Sequence, residues 1–253
     1  MGLKHKIANT LKEVPLVGRI IANNYKNYQK FGRLMYRLED FTHSQNVEDI
    51  IVTRLVKDCP SGGYYVDIGA HHPLRFSNTY RLFLAGWKGI NIDPLPECMK
   101  AFKNARPDDI NLNVACGETS GELEYYSFEE PAYNTLDAEQ AQDCLKRKVS
   151  TLKQKIKVPV LPLKNIFDKY LPQGQTINFM NLDVENYEIH VLKGNDWGKY
   201  RPQVMIVECF VGGRENLMDI YQDEKIKFML EHDYRVVAKA FNATFLIDNK
   251  ADL

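Results

Sequence analysis

No uninterrupted apolar run in this sequence approaches the roughly 18–20 residues that a membrane helix needs, so no part of it is expected to span a bilayer. The first residues are basic, but they lack a continuous apolar stretch and a small-residue cleavage site, so a signal peptide is not expected. Lys6 stands where the myristoylation pattern after Met1-Gly2 requires Ser or Thr, so that pattern fails too. Cysteine is sparse. Cys59, Cys98, Cys116, Cys144 and Cys209 are widely spaced and form no C-x-x-C, which argues against a disulfide scaffold or a structural zinc site. Reduced thiols in a cytoplasmic protein are the expectation. A surplus of charge is missing as well. Lys and Arg total 33, and so do Asp and Glu, which leaves no global field to draw nucleic acid. Internal repeats and low-complexity segments are absent. So are the Walker A pattern and the G-x-G-x-x-G fingerprint that a bound pyrophosphate requires.

What remains is 253 residues, 44% hydrophobic and 26% charged, the material of one soluble α/β domain with a large core. Residues 1–40 stand apart as a basic helical arm. Positions 1–38 hold Lys4, Lys6, Lys12, Arg19, Lys26, Lys30, Arg33 and Arg37 against the single acid Glu13. Apolar residues from Ile7 to Tyr25 recur at helical spacing, and Pro15 should split them into two helices. Such an arm can pack on its own domain or on a second copy in a homodimer, or it can lie on an anionic membrane surface.

Residues 41–253 form the expected domain. A helix over 47–57 is predicted, with Asn46 as N-cap. Strands at Tyr64–Ile68, Gly89–Ile92 and Ile110–Val114 alternate with helices over Ser77–Leu84 and Pro96–Lys103, the rhythm of a parallel sheet with right-handed crossovers. Leu123–Ser127 reads as a strand. Residues 128–154 are polar, carry a helical pattern near Leu136–Leu145, and read as an excursion on the acceptor side. Val158–Leu163, a helix over Ile166–Leu171, and strands at Ile177–Leu182 and Val204–Val207 then return to the core. An amphipathic helix over Leu217–Leu230 follows. Two β-rich runs around Phe241-Asn242 predict a closing antiparallel hairpin.

Three stretches carry the chemistry. The first is Tyr65-Val66-Asp67-Ile68-Gly69-Ala70-His71-His72-Pro73. It runs from a strand into a glycine turn and on to Ser77, a candidate N-cap. Ligands on open α/β sheets bind at the carboxyl ends of the strands. Gly69 allows close backbone approach, and Asp67 can accept from an amino group or order the turn. The second ends at Asp93, 26 residues after Asp67, where a carboxylate can accept from both hydroxyls of a ribose or can open the turn at Pro94. Without the second and third glycines, a nucleoside ligand lacking pyrophosphate, such as S-adenosylmethionine, is favoured over a dinucleotide. The third is Asn181-Leu182-Asp183-Val184-Glu185-Asn186-Tyr187-Glu188. Asp183 at the sheet edge can orient or deprotonate a hydroxyl, with Glu185 and His71 as further candidates. It could also share a divalent metal with Glu208, although a metal is not the primary expectation. His72 and His71 can equally shape their turn, and His190 sits on an apolar helix face as a structural residue.

With these stretches, and with His43-Ser44-Gln45-Asn46, Phe76-Ser77-Asn78-Thr79, Gly86-Trp87-Lys88-Gly89 and Asn113-Val114-Ala115-Cys116-Gly117, the sequence resembles the FkbM family of methyltransferases over about residues 41–210. The resemblance departs at Asn186, where that family usually has Gly. Asn tolerates the same unusual φ. The resemblance implies a class I fold: a doubly wound, mostly parallel α/β sheet ending in an antiparallel hairpin. It implies S-adenosylmethionine as cofactor and a hydroxyl acceptor on a saccharide or glycan precursor, or on another small molecule. By position, Asp67, Gly69, Ala70 and His71 would line the methionine part, with Ser77 and Asn78 beside them. Asp93 would hold the ribose, Asn113, Val114 and Ala115 would flank the adenine, and Asp183 would face the reacting centre. Gln45 would reach the site from its loop. From another class, the same chain could be a silent fold that binds a partner or membrane through its arm.

Overall fold

The computed structural model describes residues 42–56, 62–210 and 216–252. The basic arm and Cys59 lie outside these residues. Helix α1 (Glu48–Leu55) leads into β1 (Tyr64–Ile68), α2 (Tyr80–Leu84), β2 (Lys88–Ile92), α3 (Pro96–Ala105) and β3 (Ile110–Leu112). The chain then builds β4 (Ala115–Cys116), β5 (Gly121–Phe128), α4 (Ala138–Arg147) and β6 (Leu152–Leu161). It returns through α5 (Leu163–Tyr170), β7 (Phe179–Leu182), α6 (Glu188–Lys193) and β8 (Val204–Glu208), and closes with α7 (Glu224–Glu231), β9 (Tyr234–Ala240) and β10 (Ala243–Asp248).

The main sheet has seven strands in the order β3-β2-β1-β7-β8-β10-β9. The first five run parallel, and the last two form the expected antiparallel hairpin, with β10 inserted between β8 and β9. This is the doubly wound class I arrangement. The order turns back between β1 and β7, so the carboxyl ends of β1, β2 and β7 open a crevice there. All five residues of β1 and of β8 and all four of β7 are buried, as strands covered by helices on both faces must be.

Alternation along these strands feeds two cores. Val66, Ile68, Met180, Leu182, Met205 and Val207 face α5, α6 and α7 through residues such as Leu163, Phe167, Leu192 and Ile226. Tyr65, Phe179, Val204, Ile206 and Phe245 face α1 and α2 through Val52, Leu82 and Phe83. Each fully buried Leu, Ile or Phe among them contributes about 1.5–3 kcal/mol relative to exposure.

Several boundaries differ from expectation. Val47, not Asn46, holds the N-cap position of α1, with φ 64° and no side-chain cap. Asn46 instead donates its backbone and side-chain N–H to Glu48. Helix α2 starts at Tyr80 because residues 73–79 are held in an irregular turn described below. The run over Leu217–Leu230 is a 3-10 turn, Leu217–Gln222, followed by α7. Asp223 separates them and caps α7 through Lys225 N. The largest departure is Val158–Leu163. Most of it lies in β6, which pairs antiparallel with β5 and parallel with β4 in a separate three-stranded sheet. The excursion from the main sheet therefore begins at Ala115, earlier than the polar stretch predicts.

Candidate functional site

A cleft of ≈ 1090 Å³, counted out to its solvent mouth, opens at the carboxyl ends of β1, β2 and β7. One wall is the turn after β1. Gly69 has φ 77°, and a Cβ there would stand 1.7 Å from the Asp183 carbonyl oxygen, so only glycine fits. Its role is thus to let the turn after β1 approach the chain leaving β7. The Gly69 and Ala70 amides both donate to the Ile92 carbonyl, and the His71 amide donates to Asp93. The turn is tied to β2 and does not present these amides to a ligand.

Asp67 is buried. Thr79 Oγ1 donates to one of its oxygens at 2.6 Å and Asn181 Nδ2 to the other at 2.9 Å. Burial pushes its carboxyl up, and the Thr79 hydrogen bond opposes this. Of its two possible roles, ordering the turn is the one these bonds carry. Ser77 also orders it, accepting from the Tyr80 amide at 3.1 Å, while its own amide goes to the His43 carbonyl. The Thr79 and Tyr80 amides at the start of α2 are thereby taken up by Ser77. Asn78 lines the cleft and donates to Asn181 at 2.9 Å.

Asp93 is 5% exposed at the end of β2. Its oxygens accept from Leu95 N at 2.8 Å and His71 N at 3.1 Å, so it both opens the turn into α3 and faces the cleft. Each oxygen retains lone-pair capacity for a ligand. Burial pushes this carboxyl up to about 7 against those two hydrogen bonds. Beside it, Leu95, Cys98, Val114, Ala115 and Tyr125 give an apolar wall. Asn113 is exposed and does not line the cleft. Its Nδ2 braces the Asp93 carbonyl at 3.1 Å, so the expected contact of Asn113 with an adenine is not where the fold puts it.

A residue that sequence reasoning passed over holds this wall in place. Arg106, just past α3, is fully buried. Its guanidinium donates to Thr79 Oγ1 at 2.8 Å, Tyr65 OH at 3.1 Å, Ser77 Oγ at 2.9 Å and the Pro73 carbonyl at 2.5 Å. Asp109 accepts from Tyr65 OH and Asn91 to complete the network. A lone Arg after a helix has no signature that announces such burial.

The opposite wall is acidic. Asp183 and Glu185 line the cleft, and both Glu185 and Asn186 are left-handed, with φ 52° and 74°. Asn186 therefore occupies a conformation suited to glycine, in accord with its expected role as a substitute. Thr135 Oγ1 donates to the Glu185 carbonyl at 2.6 Å, and Asn186 Nδ2 donates to Asp137 at 2.7 Å. These bonds strap the chain after β5 to the loop. Pro131, Ala132, Asn134 and Leu136 from that segment also line the cleft. Burial, then neighbouring Glu188 and Asp67, push Asp183 up to about 7. Burial and Asp183 push Glu185 up to about 9. Glu208 does not line the cleft. It lies with Asp183 and Glu188 in a cluster whose carboxylate oxygens stand within 4.8 Å of one another.

His71 lines the cleft with φ 52°, and burial, then His72 and Arg75, hold its ring below the usual range. His72 shapes the turn, its Nδ1 accepting from the Leu74 and Arg75 amides at 3.1 and 3.0 Å. His190 stacks on the Tyr187 ring at 4.5 Å, away from the cleft. Gln45 does line the cleft, as expected, and Glu48 joins it unforeseen. Among the described residues no helix is long and apolar enough to cross a membrane.

The family model for the methyltransferase FkbM domain matches residues 67–236. None of the curated proteins matches the chain. Among solved structures, an O-methyltransferase from Bacillus cereus in complex with SAH is similar. It shares 12% identity over 86% of this chain and 88% of that chain, with a TM-score of 0.35.

Proposed function

The chain belongs to the FkbM family of methyltransferases, and we propose that it transfers a methyl group from S-adenosylmethionine to a hydroxyl of a saccharide or glycan precursor. The observation that carries this is Asp93: a buried carboxylate at the end of β2, with open lone pairs beside an apolar wall, in the crevice where the strand order turns back. That combination suits a nucleoside with two vicinal hydroxyls and a flat base. When bound, the sulfonium supplies an already activated methyl group, so alignment provides much of the rate.

The chain's own residues divide the remaining work. Asp93 accepts from the ribose, and Leu95, Val114 and Ala115 cover the adenine. Gln45 and Asn78 reach the methionine part with side-chain polar groups, since the turn amides are tied to β2. Asp183, Glu185 and His71 surround the acceptor hydroxyl, orient it and take its proton. Polar groups from Asn134 and the acidic wall favour an acceptor with several hydroxyls, which is why a saccharide is preferred to an apolar natural product. Residues 131–136 shape the acceptor's side of the cleft. The free thiols of Cys98, Cys116, Cys144 and Cys209 support a cytoplasmic location. The homodimer, and membrane contact through the arm, rest on the basic pattern of residues 1–40.

Calorimetry with S-adenosylmethionine, S-adenosylhomocysteine and NAD tests the cofactor. Micromolar binding of the two adenosyl ligands alone supports it. Binding of neither brings forward a silent fold that acts through its arm. Glycan acceptors are then screened by mass spectrometry for the gain of one methyl group.

A further inference from the structure

Asp183 and Glu208 meet because of strand register. β7 and β8 run parallel with Leu182 beside Val207, and one step further stand Asp183 and Glu208. Glu208 is buried and Asp183 half-buried, and like charges side by side there oppose folding unless a shared proton or a cation lies between them. A third carboxylate joins from above. Glu188 opens α6, is 1% exposed, and is fixed there by accepting from Val184 N at 3.0 Å and from Lys225 Nζ at 3.4 Å. The carboxylate oxygens of all three lie within 4.8 Å of one another. Lys225, with Asp223 also beside it at 3.7 Å, pairs with Glu188, and Lys239, whose Nζ donates to the Cys209 carbonyl, lies near Glu208. Glu208 is 7% exposed, and its Oε2 is buried with no hydrogen-bond partner. Native folds seldom leave a buried carboxylate oxygen orphaned without a ligand to take it.

We infer that Asp183, Glu188 and Glu208 form a binding site for one hard divalent cation at the wall of the cleft. An all-oxygen, carboxylate-rich set selects magnesium, manganese or calcium over the softer metals. Oxygens held about 2.0–2.6 Å from such an ion span about 4–5 Å across it, matching the spread of this cluster. Asp183 belongs both to the cluster and to the cleft. A cation there stands where an acceptor hydroxyl can complete its coordination. That coordination would acidify the hydroxyl, whose proton would pass to Glu185 or His71 with Asp183 held as ligand, while the oxygen's new bond to the methyl carbon replaces the carbon–sulfur bond and S-adenosylhomocysteine leaves. The site itself stands on the carboxylates; its use in holding the acceptor rests on the methyl-transfer reading.

The test titrates the full chain with manganese chloride, with free Mn2+ read by electron paramagnetic resonance and heat read in parallel. One ion per chain is expected. Glu208→Gln and Asp183→Asn, shown by circular dichroism to be folded, should each weaken that binding at least about tenfold. No saturable binding by the wild-type chain would overturn the inference, and so would equal binding by both variants. S-adenosylhomocysteine is titrated into the same sample. Adenosyl binding without manganese binding removes the cation site and leaves the methyltransferase reading intact. Manganese binding without adenosyl binding does the reverse.

Discussion

The turn after β1 and the loop after β7 leave adjacent parallel strands at the same edge of the sheet, yet they are built by opposite rules. In the first, each carboxylate oxygen of Asp67 has a donor, the amides of Gly69, Ala70 and His71 have acceptors, and Arg106 ties the far end to the sheet through both terminal nitrogens, its Nε alone lacking a hydrogen-bond partner. In the second, half-buried Asp183 crowds against buried Glu188 and Glu208, and the Glu208 Oε2 has no partner; left-handed residues other than glycine occur in both, His71 and Phe76 in the first and the consecutive pair Glu185 and Asn186 in the second. Satisfied polar networks make a rigid wall. Unsatisfied ones persist only where the rest of the fold overrules their cost, and such places cluster at sites of binding and chemistry. The contrast assigns a pre-formed socket to the β1 side and an unfinished one to the β7 side.

The sharpest way to break the contrast is Arg106→Leu. It strips the buried partners at Tyr65, Ser77, Thr79 and Pro73, and urea denaturation should show a loss of about 3–5 kcal/mol. A variant as stable as the wild type would mean that the socket is not held by this network. Next is Asp93→Ala, for which calorimetry should show S-adenosylhomocysteine binding weakened about tenfold to a hundredfold, about 1.4–2.7 kcal/mol. Asp93 also sets a pH signature. Its folded carboxyl lies near 7 and its unfolded one near 4, so the folded chain holds the extra proton between them. Its contribution to stability is therefore full below pH of about 4 and is lost as pH rises through about 7. Ligand affinity should run the other way, rising with pH through about 7 as the ionised form accepts both hydroxyls. In Asp93→Asn that rise should be flat.

A smaller effect is expected from Thr135→Ala, which removes the strap to the Glu185 carbonyl. Thermal unfolding should register about 1–2 kcal/mol. Methyl transfer should slow while adenosyl affinity stays, because the strap reaches only the β7 side. Smallest is Asn186→Gly. Glycine accepts φ 74° without strain, but the bond to Asp137 is lost, so stability should stay within about 0.5 kcal/mol. A large loss would show that the side chain, more than the backbone, holds this loop.

Much of the socket was legible because its logic is local. Apolar runs mark buried parallel strands, and the acids that end them, Asp67, Asp93 and Asp183, fall at the crevice by topology alone. Three things were not legible. Arg106 works through partners 27 to 41 positions away, and nothing in its neighbourhood foretells them. The second sheet was hidden because Lys153, Lys155 and Lys157 make β6 look like a solvated stretch, while its partner β5 lies beyond a helix. Glu188 stands in the first turn of α6, where an acid is ordinarily solvated, yet it is buried. Its burial follows from the left-handed pair Glu185 and Asn186, which turns the chain back onto β8. Asn113 is set at the adenine by its position in the family resemblance alone; in the fold it lies beyond β3, exposed, and braces the Asp93 carbonyl.

Phe128 and Leu152 are register partners across β5 and β6, so residues 129–151 leave and rejoin the scaffold at a single doorway. A segment with both ends pinned can change length at slowly growing entropic cost. A different 129–151, given a Thr135-like strap, could therefore reshape one side of the cleft while Asp67, Asp93 and Arg106, which all lie outside that interval, keep their partners; only Leu136 of the interval packs on the apolar wall of Leu95 and Ala115.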